Sequence, residues 1–148
     1  MFFDTGFLKT DEIQLVLTRT GDGDPEKGWL PAYHFDICDM DGHSMGHCVL
    51  RVGHNENVYY GGNIGYRVEP EYRGHHYSAK ACRLLFQLAK MHGLDYVIIT
   101  TTPDNAASQA IIEGLGGELV ETAELPPHND MRLEKGLTHV HIYKFPLA

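Results

Sequence analysis

At 148 residues with a formal charge of −8, the chain is long enough to bury a core without disulfides or a structural metal, and its ordinary composition excludes a disordered or fibrous class. It has no stretch of roughly 18 apolar residues to span a membrane, and its acidic balance argues against nucleic acid as a partner. The opening Met1-Phe2-Phe3-Asp4 lacks the regions of a secretory signal, and Cys38, Cys48 and Cys82 form no CxxC pair, so free buried thiols in a reducing cytoplasm are expected.

One domain is expected over residues 1–148, with no repeat or linker. Glu12 to Thr20 alternates as a strand, and Thr20 to Pro31, punctuated by Gly21, Gly23, Pro25 and Gly28, reads as a loop. Ala32 to Cys38 and Met45 to Arg51 are predicted strands joined at Asp39-Met40-Asp41-Gly42. Gly53 to Asn57 is a predicted turn and Val58 to Val68 a longer strand. The period then changes. Ala81, Leu84, Leu85 and Leu88 mark one face of a helix over His75 to His92, with Lys80, Arg83, Gln87 and Lys90 on the other. Tyr96 to Thr101 is a β-favouring run typical of a buried strand. A second helix is predicted from Pro103-Asp104-Asn105 to Gly116-Gly117, and strands over Glu118 to Thr122 and His139 to Phe145 close the sheet. The expected class is α/β (α+β), a mostly antiparallel mixed sheet with a central βαβ unit.

The chemistry concentrates in Gly65 to Ala79, GYRVEPEYRGHHYSA. A strand, a Pro-broken turn and a helix start place unpaired N–H groups and the positive end of a helix dipole at one point, an arrangement suited to phosphate. Gly74 permits close backbone approach, while Arg73 and Lys80 add charge. A glycine at such a junction is also an ordinary structural turn, and spacing alone does not separate the two.

This segment resembles the acyl-CoA-binding motif of the GNAT superfamily of N-acetyltransferases, Arg/Gln-x-x-Gly-x-Gly/Ala. Arg73 matches its first position, and His76 and Ser78 stand where the two small residues usually fall. Gly74 and the run GYRVEPEYRG are similar to the branch typified by ribosomal-protein N-acetyltransferases. Asn105, Ser108 and Gly116 follow the family's later Asn-x-x-Ala/Ser and Gly spacing. The resemblance covers roughly Val58 to Gly117. It implies a GNAT-type sheet with splayed middle strands and acetyl-CoA as cosubstrate. Tyr66, Arg67 and Val68 would offer backbone groups to the pantetheine arm. Arg73, Gly74, His75, His76, Tyr77, Ser78 and Ala79 would hold the pyrophosphate, and Asn105 and Ser108 would contact the ligand from the other wall. His76 is expected to turn its ring outward, leaving its N–H in use.

The resemblance implies acetyl transfer to a primary amine, borne by a small molecule or a peptide. A lysine-type amine of pKa ~10.4 is mostly charged at pH 7, so a base or water chain normally helps. Many family members protonate the leaving thiolate with a tyrosine seven residues after the asparagine, where this chain has Ile112, so no catalytic residue is assigned. Tyr59, Tyr60, Asn63, His54 and Glu56 stand near the middle strand, and spacing selects none of them. No metal is expected: His139 and His141 lack a third ligand, and Asp22-Gly-Asp24-Pro-Glu26 lacks the glycine and glutamate of a calcium loop. The resemblance also places two helices after the first strand, for which Thr20 to Pro31 is too short. The acceptor side is therefore expected open, or completed by a second copy in a homodimer, with Trp29 and the Leu125 to Lys135 loop as candidate walls. Two other readings stand beside transfer: a non-catalytic acetyl-CoA-binding homologue, and, third, a sugar-phosphate aldolase of the tagatose-bisphosphate kind, for which the chain falls short of a barrel of about 250 residues.

Overall fold

The computed structural model describes residues 2–147. Four strands, β1 (Gln14–Gly21), β2 (Ala32–Cys38), β3 (Ser44–Arg51) and β4 (Ile64–Val68), form an antiparallel sheet in sequence order. A second sheet, in the order β5-β7-β6, holds β5 (Tyr96–Thr101), β6 (Glu118–Glu124) and β7 (His139–Pro146), also antiparallel. The expected mixed α/β class with splayed middle strands is present.

Alternation assigns each face of the first sheet. Tyr33, Phe35 and Ile37 of β2 and Cys48 and Leu50 of β3 are buried, while His34, Asp36, His47 and Val49 point the other way and stay partly or fully exposed. The buried face is covered by α2 (Tyr77–Met91), whose Ala81, Leu84, Leu85 and Leu88 sit at helical spacing and are almost wholly buried. Each of these leucines contributes about 1.5–3 kcal/mol by leaving water. α3 (Ala106–Gly114) adds Ile112 to the same core. On β5, Val97 and Ile99 belong to this core, whereas Ile98 faces a smaller cluster on the opposite side with Leu125, Val140 and Ile142.

Residues Val58 to Gly61 are helical, not the front of a long strand: α1 spans Glu56–Gly61. The Asn55 side chain accepts the Val58 N–H and caps it, and Gly62, at φ 86°, ends it. The β-favouring Tyr59 and Tyr60 are carried along because both pack on the smaller cluster. The expected loop Leu125 to Lys135 likewise contains α4 (Asp130–Lys135), capped by Asn129. Thr20 to Pro31 remains a connection, apart from the last residues of β1 and a single 3-10 turn at Pro25–Lys27. No described helix is long and apolar enough to cross a membrane.

The two sheets meet at Asn63. Its backbone N–H donates to Ile98 O at 2.7 Å and its Oδ1 accepts the Ile98 N–H at 2.8 Å. Its Nδ2 donates to Arg51 O at 2.9 Å and to Gly53 O at 2.8 Å, and its own carbonyl accepts the Arg51 N–H. The side chain is fully buried and fully used. Past this point β4 and β5 share no ladder and diverge.

Replacing Asn63 by Ala would orphan one N–H and two carbonyls in a buried site. The unfolding free energy is expected to fall by roughly 3 kcal/mol. Urea denaturation checks this, and a loss below about 1 kcal/mol would remove Asn63 as the joint.

All three thiols are free and buried. Burial pushes Cys48 well above the ordinary thiol range and Cys82 up to about 12. A raised native pKa stabilises the fold below the unfolded thiol value, about 8.5, and that stability is lost as pH rises through the window above it. Stability is therefore expected to fall between pH 8.5 and 11, by up to ~1.4 kcal/mol per pH unit for each buried thiol. Cys82→Ala should flatten the fall measured by urea denaturation across that range.

Candidate functional site

The divergence of β4 and β5 opens a cleft of about 660 Å³. Gly65 to Val68 form one edge and Thr100 to Thr102 the other. Tyr72 to Gly74 and His76 to Ser78 close one side, Asn105, Ala107, Ser108 and Ile111 another, and Met131, Leu137 and Val140 lie at the far end. Because α2 and α3 cover one face of the molecule while Val140, Met131 and Leu137 belong to the cluster on the other, the cleft passes through the sheet. It has two mouths.

The first mouth is built by the turn between β4 and α2. Pro70 starts a 3-10 turn, and Arg73 Nε donates to Val68 O at 2.9 Å, tying the turn to the end of its strand. Gly74 adopts φ 92° and His76 is left-handed at φ 63°, ψ 24°. His76 is the only described non-glycine residue with positive φ, a conformation that costs ~1–2 kcal/mol. This explains why the motif prefers glycine there. Left-handed residues of this kind are the means by which backbone N–H groups can converge on an anion. No described side chain caps α2, so its first N–H groups remain open to a ligand.

Every residue expected to contact the ligand lines the cleft except His75 and Ala79. His75 is exposed and stacks on Tyr77, with ring centroids 5.3 Å apart. Lys80 does not supply charge to this turn. It pairs with Glu12 and lies 5.7 Å from the Tyr77 ring. Arg67 and Arg73 line the cleft, and no described carboxylate does. A protein of net charge −8 thus keeps acid out of this site.

On the other wall Asn105 caps α3: its Oδ1 accepts the Ser108 N–H at 3.1 Å, leaving the amide NH₂ for a ligand. The Ser108 hydroxyl meets the Tyr66 hydroxyl at 3.0 Å across the cleft. Burial pushes Tyr66 up to about 12, offset in part by the Ser108 hydrogen bond, so this phenol keeps its proton at neutral pH. Ile112 is buried in the core; its position faces away from the cleft, and Ile111 faces in. Sequence reasoning missed Ile111, Leu137 and Val140, while Met131 falls in the Leu125 to Lys135 segment it named as a candidate wall. The Met131 and Leu137 positions depend on the unforeseen α4, and only the apolar spacing within that segment hinted at it.

The other candidates lie elsewhere. Trp29 is exposed, with Lys27 Nζ 4.7 Å from its ring, and is no part of the wall. Asp24 caps the Pro25 turn. His141 Nδ1 contacts Thr122 Oγ1 at 2.6 Å and His139 contacts Thr138. Tyr59 is bound to Glu121, and His54 stacks on Tyr96. The described residues do bring Asp39, Asp41 and His43 together. The Asp39 carboxylate there accepts the Asp41 and His43 N–H groups, the latter chiefly holding its pKa down, which is the chemistry of a closed turn.

A family model described as an acetyltransferase (GNAT) domain matches residues 7–118, and the chain belongs to that family. Solved structures share the fold. An acetyltransferase of the GNAT family from Bacillus anthracis is 20% identical, with a TM-score of 0.61 over 77% of this chain and 66% of that one. Ribosomal-protein-S5-alanine acetyltransferase from Vibrio fischeri is 17% identical, with a TM-score of 0.61 over 78% and 61%. The protein yncA from Salmonella typhimurium, solved with its cofactor acetyl-CoA, is 14% identical, with a TM-score of 0.60 over 79% and 65%. The chain thus spans less than two thirds of the length of each. No curated protein sequence matches it.

Proposed function

We propose that this chain transfers the acetyl group of acetyl-CoA to a primary amine, small or peptidic. The observation that carries the reading is the cleft itself. An acid-free passage begins at the free N–H groups of α2 and ends among Ile64, Ile111, Met131, Leu137 and Val140. A ligand with phosphates at one end and an apolar arm at the other fits that polarity. In this reading the N–H groups of Gly74 to Ser78, with the Arg73 guanidinium, hold the pyrophosphate. The freed edge of Tyr66 to Val68 lies along the pantetheine arm as a strand partner would. The Asn105 amide and Ser108 steady the arm from α3. His75 and Ala79, outside the lining, contribute at most backbone.

Acetyl transfer forms a C–N bond at the acceptor amine, breaks the thioester C–S bond, and moves one proton from the amine to the leaving sulfur. The Tyr66 hydroxyl, protonated and shared with Ser108 inside the cleft, is the group we assign to deliver that proton. An aldolase reading finds no support: the sheets form no barrel, and no described lysine lines the cleft.

Titration calorimetry with coenzyme A tests the binding half. Wild-type protein is expected to take up one equivalent, and His76→Gly to bind at least as tightly, because glycine meets the left-handed backbone without strain. His76→Val should weaken binding about tenfold, since a β-branched residue resists that conformation. Release of free thiol from acetyl-CoA with an amine panel tests the chemical half. Binding without release from any amine would leave the non-catalytic reading standing.

A further inference from the structure

On the face of the first sheet away from α2, cross-strand register places Arg19 opposite His34, His34 opposite Val49 and Val49 opposite Gly65. The next row runs Val16, Asp36, His47, Arg67. Arg51 lies two residues along β3 from Val49 on the same face. Gly65 and Arg67 end these rows at the cleft, so His47 sits one strand from it and His34 two strands, ~10 Å. The face is bare because the Thr20 to Pro31 connection holds only a 3-10 turn.

These groups are close enough to act on one another. After burial, the charges of Arg19, Arg51 and His47 hold His34 below its ordinary value, with no carboxylate opposing them. Arg51 is half-buried, donates to Gly62 O at 3.1 Å and has no described carboxylate partner. Asp36 is the single acid in these rows, and Glu69, just past β4, lies 3.9 Å from Arg67. Against a whole-chain charge of −8, Arg19, Arg51 and Arg67 outnumber Asp36 and Glu69 on this face, and screening over ~8–10 Å makes the local charge decide for a small docked segment.

Resting on the transferase reading, we propose that the bare face beside the second mouth docks an acidic peptide whose amine enters the cleft, with Arg19 and Arg51 pairing with its carboxylates and the neutral imidazoles of His34 and His47 donating hydrogen bonds to them. A long polyanion such as RNA would meet the whole acidic surface as well as this patch, and it offers no aliphatic amine. Charge complementarity therefore favours the peptide.

Fluorescence anisotropy on the full chain tests this without requiring turnover. The probes are two labelled short peptides with free amino termini, one continued by alternating Asp and Glu, the other by Lys and Arg, and a single-stranded RNA oligomer. The acidic peptide is expected to bind best at low salt and to lose most of its affinity at high salt. Arg19→Glu/His47→Glu, both exposed sites, should weaken it about tenfold. Arg83→Glu/Lys90→Glu, exposed on the α2 side, should leave it within about twofold. Equal binding of both peptides, tighter binding of RNA, or equal loss in the two double variants would each overturn the proposal. Coenzyme A calorimetry on the same samples separates that failure from failure of the transferase reading, because Arg19 and His47 do not line the cleft.

Discussion

A single buried amide decides where the two sheets join and where they part. The Asn63 side chain and backbone occupy both polar groups of Ile98, and the same side chain holds Arg51 and Gly53 on its own sheet. A continuing ladder would have consumed the edges of β4 and β5. Ending the pairing at one residue leaves Gly65 to Val68 and Thr100 to Thr102 facing each other across open space. Groups on those edges are free to hydrogen-bond water or a strand-like ligand. Asn63, which sequence reading could place only among candidate catalytic groups, works by being completely satisfied.

The distribution of charge follows the same geometry. Acids gather on loops, turns and the outer strand β6, while the lining of the cleft includes Arg67 and Arg73 and no described carboxylate. In the proposed reading, an anion entering beside α2 meets backbone dipoles that are fixed before it arrives. Lys80, which sequence spacing placed in this group, is turned aside by Glu12. The positive field at this mouth therefore comes from backbone and from Arg73 rather than from a cluster of basic side chains.

The parts legible in the sequence were those written in local rules. β2, β3 and α2 carry clear periods of 2 or 3.6, β5 is a continuous β-favouring run, and all four appear within two residues of the expected bounds. Asn105 and Gly74 carry cap and turn chemistry that does not depend on distant contacts. What was not legible depends on tertiary context. Tyr59 and Tyr60 favour strand, yet a cap at Asn55 and a cluster beneath them make a helix. Ile112 was judged against a motif position, but the rotation of α3 sends that position into the core and gives the cleft Ile111 instead. Period alone cannot fix which of two adjacent helix residues faces a gap.

The two mouths of the cleft are built from different materials, and this bears on how the fold tolerates change. The mouth at α2 is mostly main chain: a left-handed His76 serves where glycine is usual because the N–H direction, not the side chain, is what an anion would meet. The mouth on the other face is made of side chains from α4, β7 and the bare sheet, and among the described residues only a 3-10 turn lies between β1 and β2. Substitution at the first mouth is limited by φ and ψ, because positive φ at Gly74 and His76 is met without strain only by glycine. Substitution at the second changes charge and shape directly. A chain built this way can keep its first mouth while its second drifts, so the acceptor preference proposed above rests on Arg19, His34, His47 and Arg51 and not on the motif that marks the family.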